Sequence, residues 1–390
     1  MTGTVTSHRS SWMDADLDIY RDAVRRFVAE EILPHQDRFA RQQHVDRSVW
    51  HKAGELGFLL ADIPEIYGGG GGNFAHVAVL MEELAYAGDY GFGVGVHQIA
   101  ANYILHQGTE AQKRSYLPRM ARGEMIGAIA MTEPGAGSDL QSIRTRAVLH
   151  DGEYRISGSK IFISNGAMAD LIVVVTKTDP NAGSKGVSLL LLETKGAEGF
   201  KVGRVLDKLG QKAADTSELF FEQVRVPASN LLGGAEGQGF RHLMVELPYE
   251  RTLCAVTAIA STEAALRMTL DYTRQRRAFG KPLFEMQNTR FKLADVKTQA
   301  TVGRHFVDVC VQRVIDGTMD ADTAAVAKLW TTETLGRTVD ECLQLFGGYG
   351  YMMEYPIARL YADARVQRIY GGTSEIMKEI IARSLAREPS

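Results

Sequence analysis

Two short stretches carry residue types that could do acid–base chemistry: Glu250–Arg251 in VELPYERTL and the glycine pair Gly371–Gly372 in RIYGGTSEI. A glutamate enclosed by apolar surface loses hydration, which raises its pKa and fits it to take a weakly acidic C–H proton. On an open helix face the same Glu–Arg neighbours would be an ordinary ion pair, and the residues alone leave both readings open. The direction of Arg251 decides, because a guanidinium paired with Glu250 would oppose the rise. Gly371–Gly372 reads first as a turn beside a helix. Gly135-Ala136-Gly137 matches only the first half of a dinucleotide fingerprint, and no helical pattern opens immediately after it, so that reading is rejected. Cys254, Cys310 and Cys342 show no CxxC or CxxH spacing, which argues against a metal site and a disulfide framework and for a reducing compartment.

Apolar spacing indicates the elements that must position these residues. Leu17, Tyr20, Val24, Phe27, Val28 and Ile32 follow helical spacing that Pro34 should end. Further helical patterns cover 47–60, 74–88, 94–107 and 110–121. Between about 127 and 226 the pattern changes to short β-rich runs, clearest at Tyr154–Ser157, Leu171–Val175, Val187–Leu192 and Leu219–Val226. Helical spacing returns over 239–275, 284–315, 320–346 and 370–386. The expected divisions are therefore 1–126 helical, 127–236 β and 237–390 helical. Helices, then strands, then helices is not the strand–helix alternation of a parallel dinucleotide-binding sheet.

With 390 residues, 45% hydrophobic and 23% charged, the chain can bury a large core. A net charge of −3 gives no reason to expect nucleic-acid binding. No uninterrupted apolar run reaches the roughly 18 residues of a membrane span. The N-terminus MTGTVTSHRSSW lacks the apolar segment of a secretory signal, although it is hydroxyl-rich enough for a short organelle-targeting remnant. A cytoplasmic location is the expectation.

IAMTEPGAGSDLQSIRTRA at 129–147 and QLFGGYGYMMEYPIARLYADARVQRIYGGTSEI at 344–376 resemble the two signatures of the acyl-CoA dehydrogenases. KIFISNG at 160–166 and RRAFGKPL at 276–283 extend the resemblance over nearly the whole chain, and ELPYER with IYGGTSEIMKEI is most like the long-chain branch. The resemblance implies an α+β, mostly α fold: an N-terminal helical domain, a middle β-barrel-like domain and a C-terminal four-helix bundle. It also implies FAD, an acyl-CoA substrate, a homotetramer built as a dimer of dimers, and electron delivery to an electron-transfer flavoprotein.

Many members carry the catalytic glutamate at the place of Gly371, whereas the long-chain and isovaleryl members take the base from an earlier helix, here Glu250. The resemblance gives Gly371, with Gly372 beside it, a backbone N–H that holds the thioester carbonyl, so that donors aimed at the developing enolate acidify the α-proton. It places Ile129, Met131, Thr132, Gly137, Ser138, Phe162, Ile163 and Ser164 at the flavin, with Phe162 where many relatives carry tryptophan. It puts Arg276, Phe279 and Gln287 at the FAD diphosphate across a dimer contact, where a planar guanidinium suits phosphate oxygens. Gln344, Gly347 and Gly348 belong to a loop reaching FAD from a partner subunit, and Thr373 and Glu375 complete the flavin surface. Glu375 reads equally as a first-turn helix residue. Ser138, Pro248, Arg251 and Arg241 fall on the substrate side. Arg241 stands where close relatives have an aromatic residue; it meets either a CoA phosphate or solvent. Gly95, Ala100 and Ala101 line what resembles the floor of the acyl channel, as a deep pocket or as a close helix contact. The first suits a long or bulky acyl chain. Other readings that keep the fold are a short branched-chain (isovaleryl-like) dehydrogenase, an oxygen-using oxidase, and a flavin-binding relative without dehydrogenase activity.

Overall fold

In the computed structural model, residues 8–386 are described, so residues 1–7 of the hydroxyl-rich N-terminal stretch lie outside them. The chain opens with α1 (Ala15–Phe27), α2 (Gln36–Gln42), α3 (Arg47–Glu55), α4 (Phe74–Tyr86), α5 (Val94–Gln107) and α6 (Glu110–Ala121). Local chemistry sets their ends. Asp14 caps α1 by accepting the Leu17 N–H at 2.8 Å. Thr109 and Gln112 form a reciprocal capping box on α6, at 3.3 and 2.9 Å. Two ends differ from the spacing. The α-helical part of the first segment stops at Phe27, and a π turn over Val28–Ile32 leads into Pro34. There the Leu33 N–H reaches back five residues to Val28 O, a local widening of the helix just before a residue that has no N–H of its own. The third helix ends at Glu55 rather than at 60. Gly57 adopts φ 71° and Phe58 N–H returns to Ala53 O at 2.9 Å, the double-bonded glycine stop of many helices.

The middle of the chain is a curled seven-stranded sheet built from β1 (Gly127–Ala130), β2 (Arg146–His150), β3 (Glu153–Ser164), β4 (Leu171–Lys177), β5 (Val187–Glu193), β6 (Phe200–Val205) and β7 (Thr216–Pro227). β4 pairs in parallel with β1 and antiparallel with β5, so LIVVVTK is buried along its whole length and begins with the apolar run Leu171–Val175. β3 and β7 pair antiparallel, with a bulge between Lys160 and Ile163. That bulge turns Phe162 outward at φ 61° and leaves its ring 63% exposed.

The remaining helices are α7 (Gly239–Gln275), α8 (Gln287–Ile315), α9 (Ala321–Phe346), α10 (Pro356–Ala364) and α11 (Ser374–Leu385). α7 is 37 residues long and packs on α4, α5, α8, α9 and α10, so it carries the site through the centre of the molecule. By length and composition α7 could cross a bilayer, with a mean hydropathy of 1.3 over its most apolar window, but 78% of that window is buried inside the protein. It is a core helix. Gly95 approaches it closely: a Cβ there would lie 3.3 Å from Leu253 Cδ2. Ala100 and Ala101 have no exposed surface, and a Cβ on Gly127 would lie 3.1 Å from Ala100 Cβ. These small residues let α5 pack closely against α7 and β1.

Candidate active site

Glu250 sits in the first half of α7 and is 8% exposed. Among the described residues the one hydrogen bond to its carboxylate comes from the Tyr103 hydroxyl of α5, which donates to Oε1 at 2.9 Å. Burial pushes the carboxyl up to about 7; nearby Glu246 adds to the rise, while Tyr103 and Arg251 oppose it. Arg251 points away from its neighbour. Its Nε donates to Gly371 O at 3.3 Å, and among the described residues no ion pair joins it to Glu250. The ordinary Glu–Arg pair is thus excluded by geometry.

Gly371 and Gly372, held to α7 through Arg251, have φ 64° and 96° in the turn before α11. Only residues without a Cβ hold such angles in succession at little cost. A Cβ on Gly371 would lie 3.7 Å from Cys254 Sγ and 3.9 Å from Lys328 Cε, so the space beside it is bounded by α7 and α9. The final helix begins at Ser374 rather than at 370 because this turn intervenes. Thr373 is its cap, accepting the Ile376 N–H at 3.3 Å, and Glu375 occupies the first turn. Pro248 lies on α7, where its carbonyl accepts from the Thr252 hydroxyl at 2.8 Å.

The residues expected around a flavin ring are brought together at the junction of β1 and β3. Ile161 N–H donates to Thr132 O at 3.0 Å, which sets Thr132 beside Phe162 and Ser164. Beneath them a buried ion pair ties the two strands: Lys160 donates to Met131 O and to Glu133 Oε1, both at 2.9 Å. Glu133 also accepts the backbone N–H of Arg144 and Thr145, at 2.6 and 2.9 Å. Ile129 packs against the helical core, and Ile163 is 2% exposed, so its side chain belongs to the sheet interior and only its backbone can face outward. Gly137 and Ser138 are exposed in the loop that follows, where Ser142 bonds Asp139 in a single turn.

A second group forms elsewhere. Arg276, Gln344, Gly347 and Gly348 line a cavity of about 500 Å³, and the Arg276 guanidinium lies 5.4 Å from the Tyr349 ring centre. Phe279 is 94% exposed and Gln287 is an exposed first residue of α8. An outward aromatic face at Phe162 and an open cavity with a cation and bare glycine backbone fit the ring and the diphosphate of FAD. Arg241 stands apart from both groups. It lies on the exposed side of α7 and bonds Gln238 at 3.2 Å, a place open to solvent and to a phosphate alike.

The motifs missed Tyr103 and Lys328. Both fall on buried helical stripes: Lys328 continues Ala324, Ala325 and Ala327 on α9, a position where a lysine is out of place. They also missed Glu246, which is 3% exposed one turn before Glu250 and bonds His106 at 3.0 Å and Gln107 at 2.9 Å.

A buried carboxyl group raised to about 7 on a helix that also holds a glycine turn, with strands that present an aromatic face, fits a flavin-dependent oxidoreductase of carbon acids. The chain belongs to the acyl-CoA dehydrogenase family: its N-terminal, middle and C-terminal domain models match residues 14–124, 128–224 and 237–386. It is 48% identical over 374 residues to the mitochondrial long-chain specific acyl-CoA dehydrogenase of Mus musculus, covering 95% of this chain and 86% of that one. It is 37% identical to the mitochondrial isovaleryl-CoA dehydrogenase of Oryza sativa over 98% of this chain and 94% of that one. A crystal structure of acyl-CoA dehydrogenase from Geobacillus kaustophilus superposes with a TM-score of 0.94 at 45% identity, covering 97% of this chain and all of that one. The chain is an FAD-dependent enzyme acting on acyl-CoA thioesters.

Proposed function

We propose that the enzyme desaturates the Cα–Cβ bond of a long or bulky acyl-CoA to the trans-2-enoyl-CoA, with Glu250 as the base. The observation that carries this reading is a carboxyl group raised to about 7, held by Tyr103 and unpaired with Arg251. Bound FAD supplies the hydride acceptor. Gly371 N–H holds the thioester carbonyl, where negative charge develops as the α-proton leaves. Glu250 takes that proton, and its enclosure keeps water from competing for it. Electrons pass to an electron-transfer flavoprotein, and the working form is a cytoplasmic homotetramer in which the exposed Arg276 and Gly347–Gly348 surfaces complete a partner's FAD site. The similarity to the long-chain relatives supports the acyl preference.

An anaerobic titration tests the reading. Dodecanoyl- to hexadecanoyl-CoA should bleach the flavin's visible band with formation of the enoyl thioester, and isovaleryl-CoA should do so poorly. Preferential bleaching by the short branched thioester would overturn the chain-length part.

Tyr103 gives a further prediction. The carboxylate is the active form, so activity should fall as pH drops through about 7. Tyr103→Phe removes a hydrogen bond to the charged form and should move that acid limb up by about half to one pH unit. The pH dependence of kcat/KM reads the shift directly; an unmoved limb would show that Tyr103 does not hold the base.

A further inference from the structure

We propose that Lys328, acting with Arg251, is a positioning residue for this reaction: it fixes the Gly371–Gly372 turn and places positive charge behind the thioester carbonyl. The proposal rests on the reading that the thioester carbonyl sits at Gly371 N–H.

Lys328 lies on α9 with no exposed surface, and its ammonium group donates to Gly372 O. Arg251, 5% exposed on α7, donates to Gly371 O. Two buried cations from two helices therefore hold two successive carbonyls. Among the described residues neither has a carboxylate partner. Two acids are close enough to influence Lys328: Glu333 is engaged by Ser374 at 2.6 Å and by Arg368 at 3.4 Å, and Glu375 is exposed in the first turn of α11.

This is a costly arrangement. Burying an unpaired ammonium costs several kcal/mol, and an apolar side chain would fill the same place on the α9 stripe at less cost. Its use can be read from what it holds. Consecutive glycines form a very freely rotating backbone unit, whereas a carbonyl-binding N–H must be aimed before reaction begins. Anchoring the carbonyls of Gly371 and Gly372 fixes the planes that follow the Gly371 N–H. The two charges, neither held in an ion pair among the described residues, also favour the enolate over the neutral thioester, because opposite charges interact strongly where water is excluded. Proton loss from Cα to Glu250 moves negative charge onto the carbonyl oxygen, on the side where these cations stand.

The FAD-loaded Lys328→Met and Lys328→Gln enzymes test this, the second keeping a donor for Gly372 O without the charge. A 3-oxoacyl-CoA is the probe: it cannot be dehydrogenated, its α-proton is acidic, and its bound enolate gives a long-wavelength charge-transfer band with oxidised flavin. Expected results for Lys328→Met are unchanged FAD content, KM within about threefold, and kcat lower by about 10- to 100-fold. The pH midpoint of the enolate band should rise by about one unit or more. Lys328→Gln should keep part of kcat yet show the raised midpoint, and Lys328→Arg should restore both in part. An unmoved midpoint in either neutral variant would overturn the proposal, as would a loss of kcat that only tracks lost FAD or lowered thermal stability. If Lys328→Met does not fold, the midpoint in Lys328→Gln decides. Full turnover in a Glu250→Gln enzyme would instead overturn the base, and it would leave the enolate midpoint to be judged separately.

Discussion

Glu250→Gln should cut the rate of flavin reduction by about 10²–10⁴ while making the protein more stable above neutral pH. The first effect follows from removing the group that takes the α-proton; glutamine keeps the shape and the acceptor for Tyr103 but cannot hold a proton. No neighbouring group replaces it. Cys254, one turn further along α7, has its thiol pushed up to about 11 by burial, and Glu246 is occupied by His106 and Gln107. The stability effect has the opposite sign. The folded carboxyl is raised to about 7 from 4.5, so the folded state binds the extra proton between those values. The group's stability contribution is therefore full below 4.5 and declines as pH rises through 7. An amide carries no such dependence, so the variant should gain about 1–3 kcal/mol relative to the parent between pH 5 and pH 8. Rapid mixing with an acyl-CoA under anaerobic conditions measures the first effect, and thermal unfolding at the two pH values measures the second. A variant that reduces its flavin at the parental rate would remove Glu250 from the mechanism.

The sequence made much of this readable because the largest elements obey a single period. α7 spans Gly239–Gln275, the range that apolar spacing marks, and the buried strands β4 and β5 stand out by the apolar runs Leu171–Val175 and Leu189–Leu192. Shorter strands are another matter. β1 has only four residues, and β6 is mostly exposed, so neither carries the alternation that marks a half-buried strand. The site divides in the same way. Glycine at 371 is informative because a side chain is missing from a recognisable motif. The direction of Arg251 depends instead on a carbonyl 120 residues further along, which no local pattern contains. Tyr103 reaches Glu250 across 147 residues. As one more apolar position on α5 it looks like core, and only the fold turns its hydroxyl toward a carboxylate.

Such long-range polar contacts also hold α7 in place. Arg304 of α8 donates two bonds to Glu263 of α7, at 3.0 and 2.7 Å, one to Glu82 of α4, and one to Tyr86 OH at 3.0 Å. All three charged groups are buried: Arg304 is 4% exposed, Glu82 2% and Glu263 9%. Arg304→Met should destabilise the protein by about 3–5 kcal/mol, because it leaves buried carboxylates whose desolvation is no longer compensated. The two acids should not suffer equally. Glu82 keeps Arg21 at 2.6 Å, whereas Glu263 would keep, among the described residues, the Tyr86 hydroxyl alone. Adding Glu263→Gln to Arg304→Met should therefore recover more stability than adding Glu82→Gln. Arg304→Lys should recover little, since a single ammonium cannot supply the forked contact to Glu263 and also reach Glu82. Denaturant unfolding of the four variants at fixed FAD concentration measures the order. Equal recovery from both glutamine substitutions would mean that the two carboxylates share the charge evenly, and full stability in Arg304→Met would mean that apolar packing alone fastens α4, α7 and α8. Because α7 also carries Glu250 and Arg251, flavin reduction in Arg304→Met should slow as well, and the Glu263→Gln addition should restore part of that rate as it restores the fold.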